Sequence, residues 1–426
     1  MHFGLLVPNG DGHFNPLLAL TVELQQRGHR VTFFAVPDSL AAGKAAGIEV
    51  VECAAKQMPL GTIARMHKLS TEGVPFWKMF DYMKQVETLF EAYLLAVDDW
   101  LTRNPKTLDC LLVDCLVPHL YLLGEKHQIP YILLGITIPG LLSSPSDVPP
   151  SILDWSYSDS LFAKIRNHLG NTLAKLITDP FFNKVRDKYA KAWSLPCSKS
   201  IGVSRKALAW ITQIPEAFDF PRSDKNRYIY TGPWVNPSKR VKLDFPWEQL
   251  NGKPLIYASL GTVFNDQKEA YTIIADVCSK LGCQLVLSVG PHILDTVLED
   301  FQHKYPQFIF VRKAPQVELL QCTTLAINHA GTNSVLEALQ VGIPMVAIPI
   351  GSDQPGVAAR IRFHKVGVSI PMSKLSCERL LDALKEVLKN KVYTHNAHIF
   401  AKLIESKPGL IQAAEAIEQV LTNDRA

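Results

Sequence analysis

The chain opens with an apolar run, HFGLLVP, breaks at NGDGHFNP, resumes with apolar residues at helical spacing in LLALTVELQQRGH, and closes on a second apolar run, RVTFFAV. Runs without alternation fit strands buried on both faces, so strand, loop, helix and strand in this order predict a βαβ unit and a parallel sheet. DCLLVDCL (109–116), YLLGEKHQI and PYILLGI (130–136) repeat the pattern. Between 140 and 250 the rhythm fails and stretches such as SSPSDVPPS and PWVNPSKRVKLDFP take over, the latter reading as a linker. From LIYASLGT (255–262) it resumes through CQLVLSVG, FIFVRKAP, LAINHAG and PMVAIPI. The expected fold class is α/β, with two Rossmann-like doubly wound domains facing a cleft. Open sheets of this kind bind ligands beyond the carboxyl ends of their strands, so the chemistry is expected there.

Composition changes this picture little. At 426 residues and 47% hydrophobic content the chain can bury two cores, since single cores stop growing at about 250–300 residues. Lys+Arg 44 against Asp+Glu 40 gives +4, which offers no charge argument for nucleic acid as a partner. The eight cysteines are scattered without a C-x-x-C pair, as expected in a reducing compartment without structural zinc. Phe3–Val7 is too short and lacks the basic flank of a signal peptide. The absence of about 18 uninterrupted apolar residues argues against a membrane span. A cytoplasmic protein, at most peripheral on a membrane face, is expected.

Candidate chemistry concentrates in INHAGTNSVLEALQVGIPMVAIPIGSDQPGVAARI (327–361). A helix beginning near Thr332 places His329, Gly331, Asn333 and Ser334 at its N-terminus, where backbone N–H groups and the helix dipole favour phosphate oxygens. Ser334-x-x-Glu337 can also be read as a capping box and nothing more. With RKAPQVELL (312–320) before it and Asp353-Gln354 after it, the order is base, phosphate, sugar, which describes a nucleotide-sugar site. In the first half, His13 follows one strand and Asp114 ends another. A lone His is more often structural, but a carboxylate in the equivalent place makes a base and its orienter. His119 is the alternative base.

The segment from Lys313 to Gln354 resembles the nucleotide-sugar box of glycosyltransferase family 1, the UDP-glycosyltransferases of GT-B fold, running A-P-Q, H-x-G-x-x-S-x-x-E, G-x-P, P, D-Q. The resemblance implies that the Ala314 main chain and Gln316 hold base and ribose, and that Glu337 binds the ribose hydroxyls. It further implies that His329, Gly331, Asn333 and Ser334 contact the diphosphate with Ser259 and Thr262 of the SLGT turn, and that Asp353 and Gln354 bind the sugar. Gln at the last position is similar to glucosyl rather than galactosyl enzymes. The plant members carry Trp where Lys313 stands here and a box two residues longer before the His, which leaves UDP against TDP open. His13 and Asp114 match the family's catalytic dyad, implying an inverting displacement with UDP-glucose as donor substrate and neither metal nor cofactor. The implied domains are 1–238 for the acceptor and 239–405 for the nucleotide sugar, with a helix in 406–426 packing back on the first.

VPFWKMFDYMKQVETLFEAYLL (74–95) and ITIPGLLSSP (136–145) together suggest a hydrophobic acceptor groove, although core packing explains either alone. Residues 161–193 carry seven basic residues (Lys164, Arg166, Lys175, Lys184, Arg186, Lys188, Lys191) and two acidic ones, a balance of +5. Such a segment reads as a docking face for an anionic membrane surface, running over the whole of 161–193, or as a solvated helix. IYASLGTVF, LAINHAGTNSVLEAL and DQPGVAARIRFHKVG resemble the bacterial carotenoid glucosyltransferases that act on zeaxanthin. The expected function is glucosylation of a hydrophobic small-molecule acceptor, a carotenoid first. Macrolides, sterols and phenols, a non-catalytic nucleotide-sugar-binding module and an epimerase are the alternatives.

Overall fold

The structure is a computed structural model that describes residues 1–7, 11–63, 65–66, 76–115, 117–140, 144–196, 206–236, 243–261, 267–290 and 293–425. The chain divides into two compact units, one of residues 1–150, 159–235 and 408–426, the other of 151–158 and 236–407.

The first unit is built on a parallel sheet in the order β3-β2-β1-β4-β5-β6-β7. Its strands are β1 (His2–Leu6), β2 (Arg30–Ala35), β3 (Glu49–Glu52), β4 (Cys110–Asp114), β5 (Tyr131–Gly135), β6 (Ala209–Thr212) and β7 (Ile229–Tyr230). The helices are α1 (Asp11–Gln26), α2 (Pro37–Ala45), α3 (Phe76–Arg103), α4 (Tyr121–His127), α5 (Leu161–Ala192) and the C-terminal helix Gly409–Arg425. Because side chains alternate along a strand, the apolar runs feed two cores. Phe3, Leu5 and Leu112 meet Leu17, Leu20 and Leu24 of α1 and Ala413, Ile417 and Leu421 of the C-terminal helix. Leu6, Leu111 and Val113 meet Tyr93, Leu94 and Val97 of α3 and Leu122 of α4. Glu418 fastens the C-terminal helix, accepting from Arg27 Nη1 at 3.1 Å and lying 2.8 Å from His29 Nε2.

Several expectations change here. β6 and β7 are short strands inside the stretch expected to be irregular, β6 pairing with β5 and β7 forming the edge, and the supposed linker begins as core: Trp234 is buried and donates from Nε1 to Thr231 Oγ1 at 2.9 Å. Residues 74–75 and 141–143 lie outside the described residues, while Val86, Tyr93, Leu94, Ile136 and Ile138 are buried, so core packing accounts for these parts of the expected groove. The basic face over 184–191 is largely neutralised. Lys184 pairs with Glu87 at 2.8 Å, Lys188 pairs with Glu91, and buried Arg186 pairs with Asp187 at 2.7 Å.

The second unit carries a six-stranded parallel sheet, β10-β9-β8-β11-β12-β13. The strands are β8 (Leu255–Ser259), β9 (Gln284–Ser288), β10 (Ile309–Val311), β11 (Leu325–Asn328), β12 (Met345–Ala347) and β13 (Gly367–Ser369). The helices are α6 (Lys268–Leu281), α7 (Asp295–Lys304), α8 (Gln316–Leu320), α9 (Thr332–Val341), α10 (Gln354–Phe363), α11 (Cys377–Lys389) and α12 (Lys391–Ser406). Ser151–Ser158, expected with the first domain, belongs to this unit instead. It is held by the bond from Gly356 N to the Ser151 carbonyl at 3.0 Å and by Arg362 with Asp154 at 2.6 Å.

Each sheet reverses its strand order once, between β1 and β4 in the first and between β8 and β11 in the second. There the connections leave in opposite directions and the carboxyl ends of two adjacent strands stand uncovered, which is where ligands bind such sheets.

Candidate active site

In the first unit the reversal brings together two residues far apart in sequence. Leu6 of β1 pairs with Val113 of β4, so the first turn of α1 and the end of β4 are neighbours. His13 Nδ1 lies 2.8 Å from Asp114 Oδ2, with the imidazole 22% exposed and the carboxylate fully buried. A buried carboxylate that accepts from Nδ1–H holds the imidazole in one tautomer and leaves Nε2 as a proton acceptor. Tyr93, beside Asp114, donates to the Phe34 carbonyl at 2.6 Å. Burial, with the Cys53 and Asp114 charges, holds this phenol well above its ordinary pKa, so it stays neutral. His119 is excluded from the same chemistry. It is buried against Phe90, burial pushes its pKa down to about 4, and its Nε2 has no hydrogen-bond partner among the described residues.

In the second unit, Asn328 at the end of β11 pairs with Ser259 at the end of β8. Asn328 Oδ1 accepts from Ala330 N at 2.8 Å and holds Ala330 at φ 60°, a tight turn that sends His329 back toward the β8 loop. The imidazole lies between Gly261 and Gly331, where a Cβ on either would come within 2.6 Å and 2.4 Å of Nε2. Here glycine is required by close approach rather than by φ, at least at Gly331, whose φ is −64°. Burial pushes the His329 pKa down to about 4 against the opposing influence of Asp353 and the Ser259 backbone, so the ring is neutral near pH 7. Its Nδ1 is enclosed without a hydrogen-bond partner among the described residues.

Helix α9 starts at Thr332 with Gly331 as its N-cap, a residue without a side chain to cap it. The capping-box reading is therefore not realised. Glu337 instead accepts at Oε2 from Gln316 Nε2 at 2.6 Å, with Ser334 Oγ 3.4 Å from the same nitrogen. Thr332 Oγ1 donates to Asp353 Oδ2 at 3.0 Å, joining the helix start to the acid-amide pair. Ser259 Oγ accepts from Gly261 N at 3.4 Å, and Ala314 is buried between β10 and α8. Asn333 is half-buried in the first turn of α9. Thr262 lies outside the described residues.

Gln354 is oriented differently from its expected role. It is buried, and its Oε1 accepts from Ile350 N at 2.8 Å and Gly351 N at 3.1 Å, closing the loop after β12. Only its Nε2 is left for a sugar hydroxyl. Tyr257 and Gly261, which join the site here, do not stand out in the sequence. The Tyr257 hydroxyl donates to Gln316 Oε1 at 3.0 Å, which turns the amide nitrogen toward Glu337. Its only signal in the sequence is period two: Tyr257 and Ser259 stand on the same face of β8.

The sequence model of the family described as "UDP-glucoronosyl and UDP-glucosyl transferase" matches residues 5–418. The "Uncharacterized UDP-glucosyltransferase YojK" of Bacillus subtilis (strain 168) is 25% identical and the match covers 96% of this chain and 94% of that one. The zeaxanthin glucosyltransferase of Pantoea ananas is 25% identical, with 99% and 96% covered. The crystal structure of the glycotransferase of kitacinnamycin superposes with a TM-score of 0.72 at 22% identity, covering 98% of each chain. The two parallel-sheet units are those of the GT-B glycosyltransferases.

Proposed function

The chain belongs to the UDP-glucuronosyl and UDP-glucosyl transferase family, and from that premise we propose that it is an inverting, metal-independent enzyme that moves glucose from UDP-glucose to a hydroxyl of a hydrophobic acceptor, with a carotenoid such as zeaxanthin first in order. The His13–Asp114 pair carries this reading, because a module that only binds nucleotide sugars has no use for an imidazole held in one tautomer by a buried carboxylate. His13 Nε2 takes the acceptor's hydroxyl proton. The acceptor oxygen attacks the anomeric carbon from the side opposite UDP, the bond to the β-phosphate oxygen breaks, and Asp114 stabilises the imidazolium.

At the donor, Gln316 and Glu337 serve base and ribose, while the start of α9, Asn333, Ser334, Ser259 and His329 take up the charge developing on the diphosphate. A neutral His329 acts as a hydrogen-bond donor rather than a counter-charge. Asp353 and the Gln354 amide nitrogen hold the sugar. The donor substrate supplies the chemistry without a cofactor. The zeaxanthin glucosyltransferase of Pantoea ananas supports the choice of acceptor. A macrolide, sterol or flavonoid is the other reading within the same reaction.

The test incubates the protein with UDP-glucose and a panel of these acceptors in detergent micelles, with and without EDTA. A β-glucoside of zeaxanthin formed equally in both is expected. Transfer only to phenols or macrolides overturns the carotenoid reading, free epimer or binding without turnover overturns the transferase reading for this site, and loss in EDTA overturns metal independence.

A further inference from the structure

The first half of α5 is amphipathic in the wrong sense for a helix that only covers a core. Its inward residues are small or polar: Ala163, Asn167, Gly170 and Asn171 are buried, and Asn171 Nδ2 donates to the Pro145 and Val148 carbonyls at 3.2 and 3.1 Å. Its outward residues are large and apolar: Leu161, Phe162, Ile165, Leu169, Leu173 and Leu176 are each 53–78% exposed. At about 100° per residue these six side chains fill a continuous arc of about 120° along roughly 24 Å of helix. Arg166 borders the arc on one side, and Lys164, His168 and Lys175 border it on the other. Residues 161–176 contain three Lys or Arg and no Asp or Glu, and of the three Lys164 pairs with Asp159 at 2.7 Å.

We propose that this face of α5 docks on an anionic lipid surface, lying in the interface with its apolar arc among the acyl chains and its cationic borders at the headgroups. The charge selects this occupant over a second copy of the chain, since pairing two such faces would set one cationic border against another. The site also differs from the one the basic residues alone suggest. The cations at 184–191 are mostly matched by Glu87, Glu91 and Asp187, whereas the apolar arc is confined to 161–176. An enzyme held on lipid meets lipid-dissolved acceptors, which gives the hydrophobic-acceptor reading a place of work, but the docking itself rests on α5 alone.

Cosedimentation without any acceptor tests it, using vesicles of phosphatidylcholine with or without phosphatidylglycerol. The wild-type protein is expected to partition onto the anionic vesicles roughly thirtyfold more strongly, and to be released by high salt. Leu169→Glu with Leu173→Glu should weaken partitioning by at least about tenfold. Lys184→Gln with Lys188→Gln should leave it within about twofold, since these cations are already matched. Unchanged melting and UDP binding confirm the fold, and Leu161→Gln with Phe162→Gln repeats the test at the other end of the arc. Wild type that stays in the supernatant, stripe variants that sediment normally, or a solution dimer dispersed by the stripe variants would each overturn the proposal. The acceptor panel in micelles is a separate readout, so failure to dock and failure to use a lipophilic acceptor are distinguishable.

Discussion

Gly331→Ala isolates what the close packing around His329 does for donor binding. The backbone at 331, φ −64° and ψ 133°, accepts alanine without strain, so the change acts only through its methyl group. That carbon would stand 2.4 Å from His329 Nε2 and 2.6 Å from Cε1. Ordinary contacts are about 3.5–4.0 Å, so the ring must retreat by about 1 Å. It has little room, because Gly261 closes the other side, where a Cβ would also come within 2.6 Å of Nε2. Overpacking of this kind costs about 1–3 kcal/mol, and a misplaced ring at the diphosphate should weaken UDP by about tenfold to a hundredfold. Calorimetry with UDP on Gly331→Ala, His329→Ala and the double variant is the assay. Without the imidazole there is nothing to clash with, so the double variant should bind like His329→Ala, a coupling of about 1–3 kcal/mol between the two sites. UDP binding by Gly331→Ala equal to wild type, or additive losses in the double variant, would refute the reasoning.

Asp114→Asn preserves shape but not charge at the fully buried end of the dyad. Turnover should fall by about 10²- to 10⁴-fold with UDP affinity unchanged, and parallel loss of both would make the pair structural. Tyr257→Phe removes the donor that holds the Gln316 amide. It should weaken UDP by about fivefold with little effect on kcat, and unchanged calorimetry would remove Tyr257 from the donor site. His119 is kept neutral by burial, its pKa near 4 against 6.5 in the unfolded chain. Between these values the unfolded state binds the extra proton, so stability is full above pH 6.5 and drains as pH falls toward 4, by about 2 kcal/mol at pH 5. His119→Leu should therefore lose less stability than wild type between pH 7 and pH 5 in urea melts while retaining transferase activity. Equal acid loss in both proteins refutes the burial argument, and lost activity would make His119 a candidate base again.

Much of the donor site was legible in the sequence because it is local. The run from His329 to Glu337 is one turn and one helix, and its order after Gln316 and before Asp353 follows the chain, so residue type and spacing already carry the chemistry. Strands such as β1, β4 and β5 were legible because burial on both faces leaves an uninterrupted apolar record. β6 and β7 were not, since such short strands among prolines and charges acquire their pairing only from the neighbours they join.

Tertiary structure alone decided the rest. The bond between His13 and Asp114 spans 101 residues and exists because β1 and β4 became neighbours at the reversal of the sheet. Tyr257 reaches Gln316 across 59 residues, and the Gln354 carbonyl turned to the loop after β12 because two backbone N–H groups there needed an acceptor. The basic segment 161–193 shows the limit most plainly. Its charges could be counted in sequence, but their partners on α3 could not, nor could the outward turn of its leucines. The spacing of apolar residues puts them on one side of the helix axis, and only the packing of the whole unit says which side is inside.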